Sequence, residues 1–146
     1  MGRTAYPIRV AATDDAGSAD ERRALCAAVD AAAPDALELA RWMNAHPELS
    51  LEERETSARY VAWLAARGFA VRTPVADLAT AFVAERGAAD APVCAALLAE
   101  MDALPDIGHA CGHSLSGPAS LLAAAALSAV LPPEALRLRV VGCPAE

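Results

Sequence analysis

The sequence predicts an α/β protein, a layered sheet with flanking helices, from two features of its apolar pattern. Up to Gly68 the apolar residues recur at helical spacing, whereas beyond Gly68 they form short alternating or continuous runs typical of strands. An alanine-rich apolar stretch at 117–130 lies between two such runs, where a crossover helix joining parallel strands would lie. Helices before and between the strands therefore predict layers of helix and sheet around one core.

The first part of the chain is expected to be helical after a flexible arm. Residues 1–17 contain glycine, proline and aspartates without a sustained period, and we expect them to form that arm. Ser18 is suited to cap a helix that begins near Ala19. Pro34 either kinks this helix or begins a second one that ends near Ala45.

A further helix is predicted from residue 51 to residue 67. Ser50 and Glu53 have the spacing of a capping box, in which the serine hydroxyl and the glutamate carboxylate each bind a free backbone amide. Gly68 is suited to end the helix. The residues expected to form its buried face are Ala58, Val61, Ala62, Leu64 and Ala65.

Strands are predicted at 69–72, 80–85, 93–99 and 136–141. A turn at 87–90 is expected to join the second and third strands as a hairpin. The helix at 117–130 is expected to place the last strand parallel to the third, because such crossovers join parallel strands. The carboxyl ends of these two strands, and the loops that follow them, would then lie at one edge of the sheet.

Composition and charge argue against several classes of partner. The 146 residues are 55% hydrophobic, enough for a real core, and carry a formal net charge of -7. No basic stripe is present, so no nucleic acid partner is expected. Neither a membrane span nor a secretory signal is visible, so we expect no membrane partner and a cytoplasmic protein. The four cysteines are too scattered for a disulfide framework, and Cys26 and Cys94 are expected to be small buried residues.

Most of the chemically versatile residues lie at 100–113, directly after the apolar strand at 93–99. Cys111 and His113 can face one centre if the loop turns at Gly112. The positive end of the following helix, with Ser114 and Ser116 as capping residues, would favour a thiolate at Cys111. Thiolate and imidazole together suit a zinc-like metal, and no serine or cysteine elbow motif favours a covalent nucleophile.

At these residues the chain resembles a family of metal-dependent amidohydrolases and peptidases. The family includes aminoacylases, hippurate and auxin-conjugate hydrolases, and aminobenzoyl-glutamate hydrolases. The matching segments occur in the family's order and are His-Pro-Glu-Leu-Ser at 46–50 with Glu53 and Thr56, Gly-Phe at 68–69, Thr-Ala-Phe at 80–82, Glu-Met-Asp-Ala-Leu-Pro at 100–105, Gly-His-Ala-Cys-Gly-His at 108–113 and Gly-Cys-Pro-Ala-Glu at 142–146. The motif at 108–113 is most similar to the branch of the aminobenzoyl-glutamate hydrolases and related dipeptidases.

The resemblance implies a role for four residues. Cys111 and His113 match the family's metal ligands, with zinc or manganese as the divalent metal. Asp102 matches an aspartate that orients a histidine ligand, and Glu146 matches the general base that takes a proton from the hydrolytic water. The implied substrate is an N-acyl amino acid, an aminobenzoyl-glutamate-like amide or a small dipeptide.

The other histidines receive no such role. His109 is equally compatible with a group beside the metal ligands, a substrate contact or a plain loop residue. His46 is expected to bind a carbonyl at a helix end or to face water. Asp106 is expected to be a solvated turn residue.

Relatives in the family continue beyond the point that matches Glu146, with a second glutamate, two further histidine ligands and a dimerisation domain. The expectation is therefore that 18–146 is the N-terminal part of a truncated zinc-peptidase-like catalytic domain, inactive in isolation. The alternatives are a non-catalytic homologue that acts as a binding or assembly module, and an active hydrolase completed by oligomerisation. Because part of the family's core would be missing, Leu121, Leu122 and Leu127 are expected to lack partners, and the chain to be marginally stable or to self-associate.

Overall fold

The computed structural model describes residues 19–146 of the chain. They form three helices and four strands: α1 (Ala19–Ala45), α2 (Arg54–Ala65), β1 (Ala70–Arg72), β2 (Phe82–Arg86), β3 (Val93–Glu100), α3 (His113–Val130) and β4 (Leu136–Cys143). The arm predicted at 1–17 and the predicted cap Ser18 lie outside the described residues. The four predicted strands are all present, with bounds that differ from the prediction by at most two residues.

The strands form one sheet in the order β1-β2-β4-β3. β4 runs parallel to β3, which confirms the crossover through α3, and antiparallel to β2. The predicted hairpin between β2 and β3 is wrong, because β4 lies between these two strands. Only a tight turn forces neighbouring strands to pair, and the six residues at 87–92 can span the roughly 10 Å occupied by one intervening strand.

The two faces of the sheet differ. Because side chains alternate along a strand, one face carries a buried apolar set, which the helices pack against: Phe82, Ala84, Ala99, Leu138 and Val140. We call this the covered face. The opposite face, here called the open face, carries Val83, Glu85, Cys94, Ala96, Leu98, Arg137, Arg139 and Val141. Leu98 is 55% exposed, so this face is not enclosed as the other is.

α1 is a single helix that continues through Pro34. Of the two interpretations that the sequence left open, the structure excludes a second helix that begins at Pro34. All four of its buried residues, Ala36, Leu39, Ala40 and Met43, come after the proline. Proline removes a backbone hydrogen bond from a helix, and packing of the turns that follow it on the core compensates for that loss.

α2 begins at Arg54, three residues later than predicted, and the capping box does not form. The amides of Glu55 and Thr56 donate instead to the carboxylate of Glu48, at 3.0 and 2.8 Å. A carboxylate at a helix N-terminus satisfies free amides and interacts well with the helix dipole. The cap therefore comes from a residue upstream of the predicted one.

The predicted buried face of α2 is also largely wrong. The residues that are buried are Thr56, Ser57, Tyr60, Trp63 and Leu64, so only Leu64 was correctly assigned. Tyr60 is fully buried and its hydroxyl lies 2.9 Å from the Met43 sulfur. Tyrosine and tryptophan bury more apolar area than alanine, so the helix turns these larger rings towards the core.

α3 begins at His113, four residues before the predicted start, with Gly112 at φ 98° as its N-cap and no side-chain cap. Ser114 is buried in its first turn. By length and composition alone α3 could cross a membrane, but seven of its residues are buried in the protein. Leu121 is one of them and is fully enclosed, contrary to expectation, whereas Leu122 and Leu127 are half-buried.

The expectation that Cys26 and Cys94 are buried is wrong, since both are exposed and unpaired. Cys26 lies in the part of α1 that precedes Pro34, where no residue is buried. Cys94 lies on the open face of β3, an edge strand. Small apolar neighbours in the sequence identify neither the solvent side of a helix nor the open side of a sheet.

Candidate metal-site edge

The carboxyl ends of β3 and β4 meet at one edge of the sheet, because these strands are parallel and pair up to Glu100 and Cys143. The loop at 101–112 and the segment at 144–146 leave the sheet there. A third segment joins them, since the Ala103 amide donates to the Glu48 carbonyl oxygen at 2.7 Å. Three stretches that are distant in the sequence thus meet at the edge where ligands collect in α/β sheets.

Asp102 lies at the centre of this edge and is 2% exposed. One of its carboxylate oxygens accepts the Ser50 hydroxyl at 2.9 Å. The other lies 3.0 Å from Nδ1 of His113 and 3.3 Å from the backbone nitrogen of Glu146. A buried carboxylate needs several donors, and these three come from three different segments.

The contacts of His113 define which nitrogen carries its proton. Nδ1 lies 2.9 Å from the Asp102 carbonyl oxygen and 3.0 Å from its carboxylate, and both are acceptors. In the neutral ring Nδ1 therefore holds the hydrogen and Nε2 presents a lone pair. This is the arrangement by which a carboxylate orients a metal-binding histidine.

Glu100 is an acidic neighbour of the same ring that the sequence did not single out. Its Oε2 lies 3.5 Å from Nε2 of His113 and accepts the Ser116 hydroxyl at 2.7 Å. Ser116 was expected to cap α3 and instead holds this carboxylate. The last residue of β3 and the first turn of α3 therefore both contribute polar groups to the edge.

Cys111 has an exposed side chain, and its Sγ lies 3.8 Å from the Asp102 carbonyl oxygen. It lies two residues before α3, near the positive end of that helix. Cys111 and His113 thus both border Asp102. The structure brings the two predicted ligands and the predicted orienting carboxylate to one place.

The donor chemistry of these residues fits a divalent metal, but their number does not complete a site. A thiol and a carboxylate-oriented imidazole are suitable ligands, whereas a catalytic zinc typically has three protein ligands. Within residues 19–146, no group of three or more histidine, cysteine, aspartate or glutamate side chains converges closely enough to hold a metal ion. Cys111 and His113 are therefore two candidate ligands, and the described residues do not complete a site around them.

Glu146 is exposed, and its backbone nitrogen is held by Asp102 as described above. Its carboxylate is close enough to Cys143 to affect that thiol. Burial raises the pKa of Cys143, and the Glu146 charge raises it further. Glu146 therefore brings a carboxylate to the same edge as Cys111 and His113.

His109 is buried, and neither of its ring nitrogens has a hydrogen-bond partner within residues 19–146. Burial lowers the pKa of His109, the adjacent His113 lowers it further, and Asp102 acts in the opposite direction. The two remaining expectations hold: His46 is exposed and its Nδ1 lies 2.8 Å from the Trp42 carbonyl oxygen, and Asp106 is an exposed turn residue.

Comparison with known proteins places this chain in a family. The chain is 35% identical over 131 residues to the Xaa-Arg dipeptidase of Mus musculus, which covers 81% of this chain and 30% of the mouse protein. It is 33% identical over 120 residues to one of the p-aminobenzoyl-glutamate hydrolase subunits of Escherichia coli (strain K12), covering 69% of this chain and 24% of that protein. A solved dinuclear metal-binding peptidase of the M20 family from Bacillus subtilis superposes with a TM-score of 0.69 and 26% identity over 80% of this chain and 36% of that one.

The chain belongs to the M20-type family of metal-dependent amidohydrolases and peptidases. This confirms the resemblance and the predicted α/β fold. No family model matches the chain. It spans about a third or less of the length of the curated relatives it matches, 30% and 24% for the two named here.

Proposed function

We propose that the chain contributes to the metal-dependent hydrolysis of an amide bond in an N-acyl amino acid, an aminobenzoyl-glutamate-like amide or a small dipeptide. The observation that carries the proposal is the contact between Asp102 and Nδ1 of His113, at 3.0 Å, beside Cys111. It directs the free Nε2 lone pair of the imidazole away from the aspartate, as metal binding requires. The two curated relatives act on a dipeptide and an aminobenzoyl-glutamate amide, which supports this substrate class.

In this proposal each residue has one task. Cys111 and His113 hold zinc or manganese, which when bound polarises the scissile carbonyl and acidifies water. Asp102 keeps the proton of His113 on Nδ1. Glu146 accepts a proton from the attacking water and passes it to the amine nitrogen as the carbon–nitrogen bond breaks.

The metal-binding part is tested by titrating the purified chain with zinc and with manganese. The Cys111→Ser, His113→Ala double variant should lose the binding shown by the wild type. Cys94→Ser, His46→Ala is a matched control, because it removes an exposed cysteine and an exposed histidine outside the site. Asp102→Asn should weaken binding by about 10- to 100-fold, the usual effect of removing a group that orients a ligand.

Catalysis is tested by the release of amine from aminobenzoyl-glutamate and from dipeptides. Two protein ligands hold a metal weakly, so the described residues alone are expected to give little turnover. Where turnover is measured, Glu146→Gln should lower it by about 10²- to 10⁴-fold and leave metal binding unchanged. A folded chain that binds no metal would favour the alternative, a non-catalytic binding or assembly module.

The proposal includes a cytoplasmic location and self-association through the open face. The row Val83, Val141 and Leu98 is apolar and continuous across β2, β4 and β3, because these residues are cross-strand partners. β3 is an edge strand, and its residues 93–99 carry no charge and no proline, the usual protections against pairing with another strand. Sedimentation over a range of protein concentrations tests this part.

A further inference from the structure

Glu53 is fully buried although it carries a carboxylate and forms no ion pair within residues 19–146. A buried carboxylate is costly unless hydrogen-bond donors surround it. The sequence suggested a capping role that the structure does not show, since its side chain makes no cap hydrogen bond to α2. Capping of α2 therefore does not explain why a carboxylate is buried at this position.

Three donors surround the carboxylate, and they belong to three separate segments. One oxygen accepts the backbone amides of Leu51 at 2.8 Å and of Ala145 at 3.1 Å. The other accepts the Thr80 hydroxyl at 2.9 Å. Glu53 thus joins the start of α2 and the approach to β2 to the segment that follows β4.

The segment after β4 is held in a conformation that needs such support. Ala145 has φ 58°, a left-handed backbone conformation that costs energy for a residue with a Cβ. Its amide is bound by Glu53, and the next amide, that of Glu146, is bound by Asp102 at 3.3 Å. Two buried carboxylates therefore each hold one of two successive amides.

We propose that Glu53 is a positioning residue that fixes the 145–146 segment, and with it the Glu146 carboxylate, at the metal-site edge. This rests on the proposed function in one respect, the role of Glu146 as general base. The contribution of Glu53 is the acceptor oxygen that holds the Ala145 amide. A residue that only filled space in the core would not need that oxygen.

Substitutions at Glu53 can remove this acceptor oxygen or keep it, while the volume of the side chain stays nearly constant. In Glu53→Gln the amide oxygen can still accept both backbone amides, while its NH₂ group donates to the Thr80 hydroxyl, which can turn to accept. Glu53→Leu leaves no acceptor. The two variants therefore separate the acceptor from the space that the side chain occupies.

The experiment measures backbone amide hydrogen exchange by NMR in the whole chain. The readout is the rate at Ala145 relative to the rate at Val140, a buried residue of β4 that Glu53 does not contact. Ala145 is itself exposed, so the protection of its amide depends on the hydrogen bond to Glu53. Glu53→Leu should raise the relative rate about tenfold, the factor expected from one lost hydrogen bond, and Glu53→Gln should restore it to within about threefold of wild type.

Two results would overturn the proposal. One is an unchanged relative rate in Glu53→Leu, either because both amides accelerate equally, which would mean general destabilisation, or because neither does. The other is the same relative rate in Glu53→Gln as in Glu53→Leu. Thr80→Val serves as a control, because it removes a donor to the other oxygen and should leave the Ala145 amide bound.

Metal titration of Glu53→Leu separates this proposal from the proposed function. Glu53 contacts neither Cys111 nor His113, so the variant should bind metal as the wild type does. Failure of the wild type to bind metal would overturn the proposed function alone, because the exchange result does not depend on a metal. Selective acceleration at Ala145 with rescue by glutamine supports the positioning role in either case.

Discussion

The covered and open faces of the sheet come from the same strands but have different surroundings. Val140 on the covered face is fully buried, whereas its neighbour Val141 on the open face is half-buried. Apart from Arg86, whose guanidinium donates to the Arg67 carbonyl oxygen and lies against Ser128 of α3, the covered face is apolar. The open face combines apolar residues with Glu85, Arg137 and Arg139. The helices pack on one face only, so the same residue type is enclosed in one position and partly hydrated in the next.

Burial, more than residue type, should therefore decide the effect of a substitution in this sheet. On the covered face a change in side-chain volume alters contacts in a close-packed interior and is therefore costly. On the open face water can occupy the volume that a smaller side chain leaves, or make room for a larger one. Paired substitutions at adjacent positions test this contrast between the two faces.

The largest effect is expected for Phe82→Ala on the covered face. The ring is fully buried, so its removal should lower the free energy of unfolding by about 3–5 kcal/mol. Val83→Ala, on the open face one residue later, should cost less than about 1 kcal/mol because its side chain is only half-buried. Urea unfolding measures both, and equal losses would show that the open face is enclosed in solution.

A smaller effect is expected when a methyl group is added. A Cβ at Gly142 would lie 2.2 Å from the Phe82 ring, so Gly142→Ala should destabilise the chain by about 1–3 kcal/mol. Ala96→Val adds carbon to the open face and should change stability by less than about 0.5 kcal/mol. Thermal or urea unfolding of the pair would contradict the contrast if Ala96→Val were as costly as Gly142→Ala.

The ionic part of the open face should contribute still less. The Arg139 hydrogen bond to Glu85, aided by the charges of Arg137 and Arg139, holds the pKa of Glu85 below its ordinary value, against partial burial. A depressed pKa stabilises the folded state above the ordinary glutamate pKa, and this is lost as the pH falls through the folded-state value. Glu85→Gln should therefore cost less than about 1 kcal/mol at pH 7, and the cost should shrink as the pH falls through the folded-state pKa of Glu85.

Unfolding free energies of wild type and Glu85→Gln, measured at pH 7 and at successively lower pH, provide the test. A difference that grows on acidification would contradict the assigned direction of the pKa shift.

The smallest effect on folding is expected for Leu98→Lys. Leu98 is exposed, so the change should alter stability by less than about 0.5 kcal/mol. It places a charge in the apolar row of the open face and should reduce self-association, since charged side chains oppose edge-to-edge pairing. Sedimentation velocity compares it with the wild type, and Arg72→Lys, an exposed charge-conserving change on β1, is a control that should leave association unchanged.

The candidate site was predictable to the extent that it depends on motif and topology. Asp102, Cys111 and His113 are close in the sequence, and the parallel pairing of β3 and β4 follows from the crossover through α3. Glu146 reaches the same edge for that reason. Glu53 was interpreted as part of a capping box, because its partner Ala145 lies 92 residues away and no local pattern reports such a contact.

Local sequence was enough to predict the class of fold, the approximate strands and the crossover, because periodicity and motif spacing are local properties. It also predicted that the loop with Asp102, Cys111 and His113 meets Glu146 at one edge of the sheet. Three-dimensional packing defined which carboxylate caps α2, that β4 lies between β2 and β3, and which face of the sheet is covered. It also left Cys26 and Cys94 exposed. These outcomes depend on long-range contacts and on competition among hydrogen-bond acceptors, so they become defined only when distant segments meet.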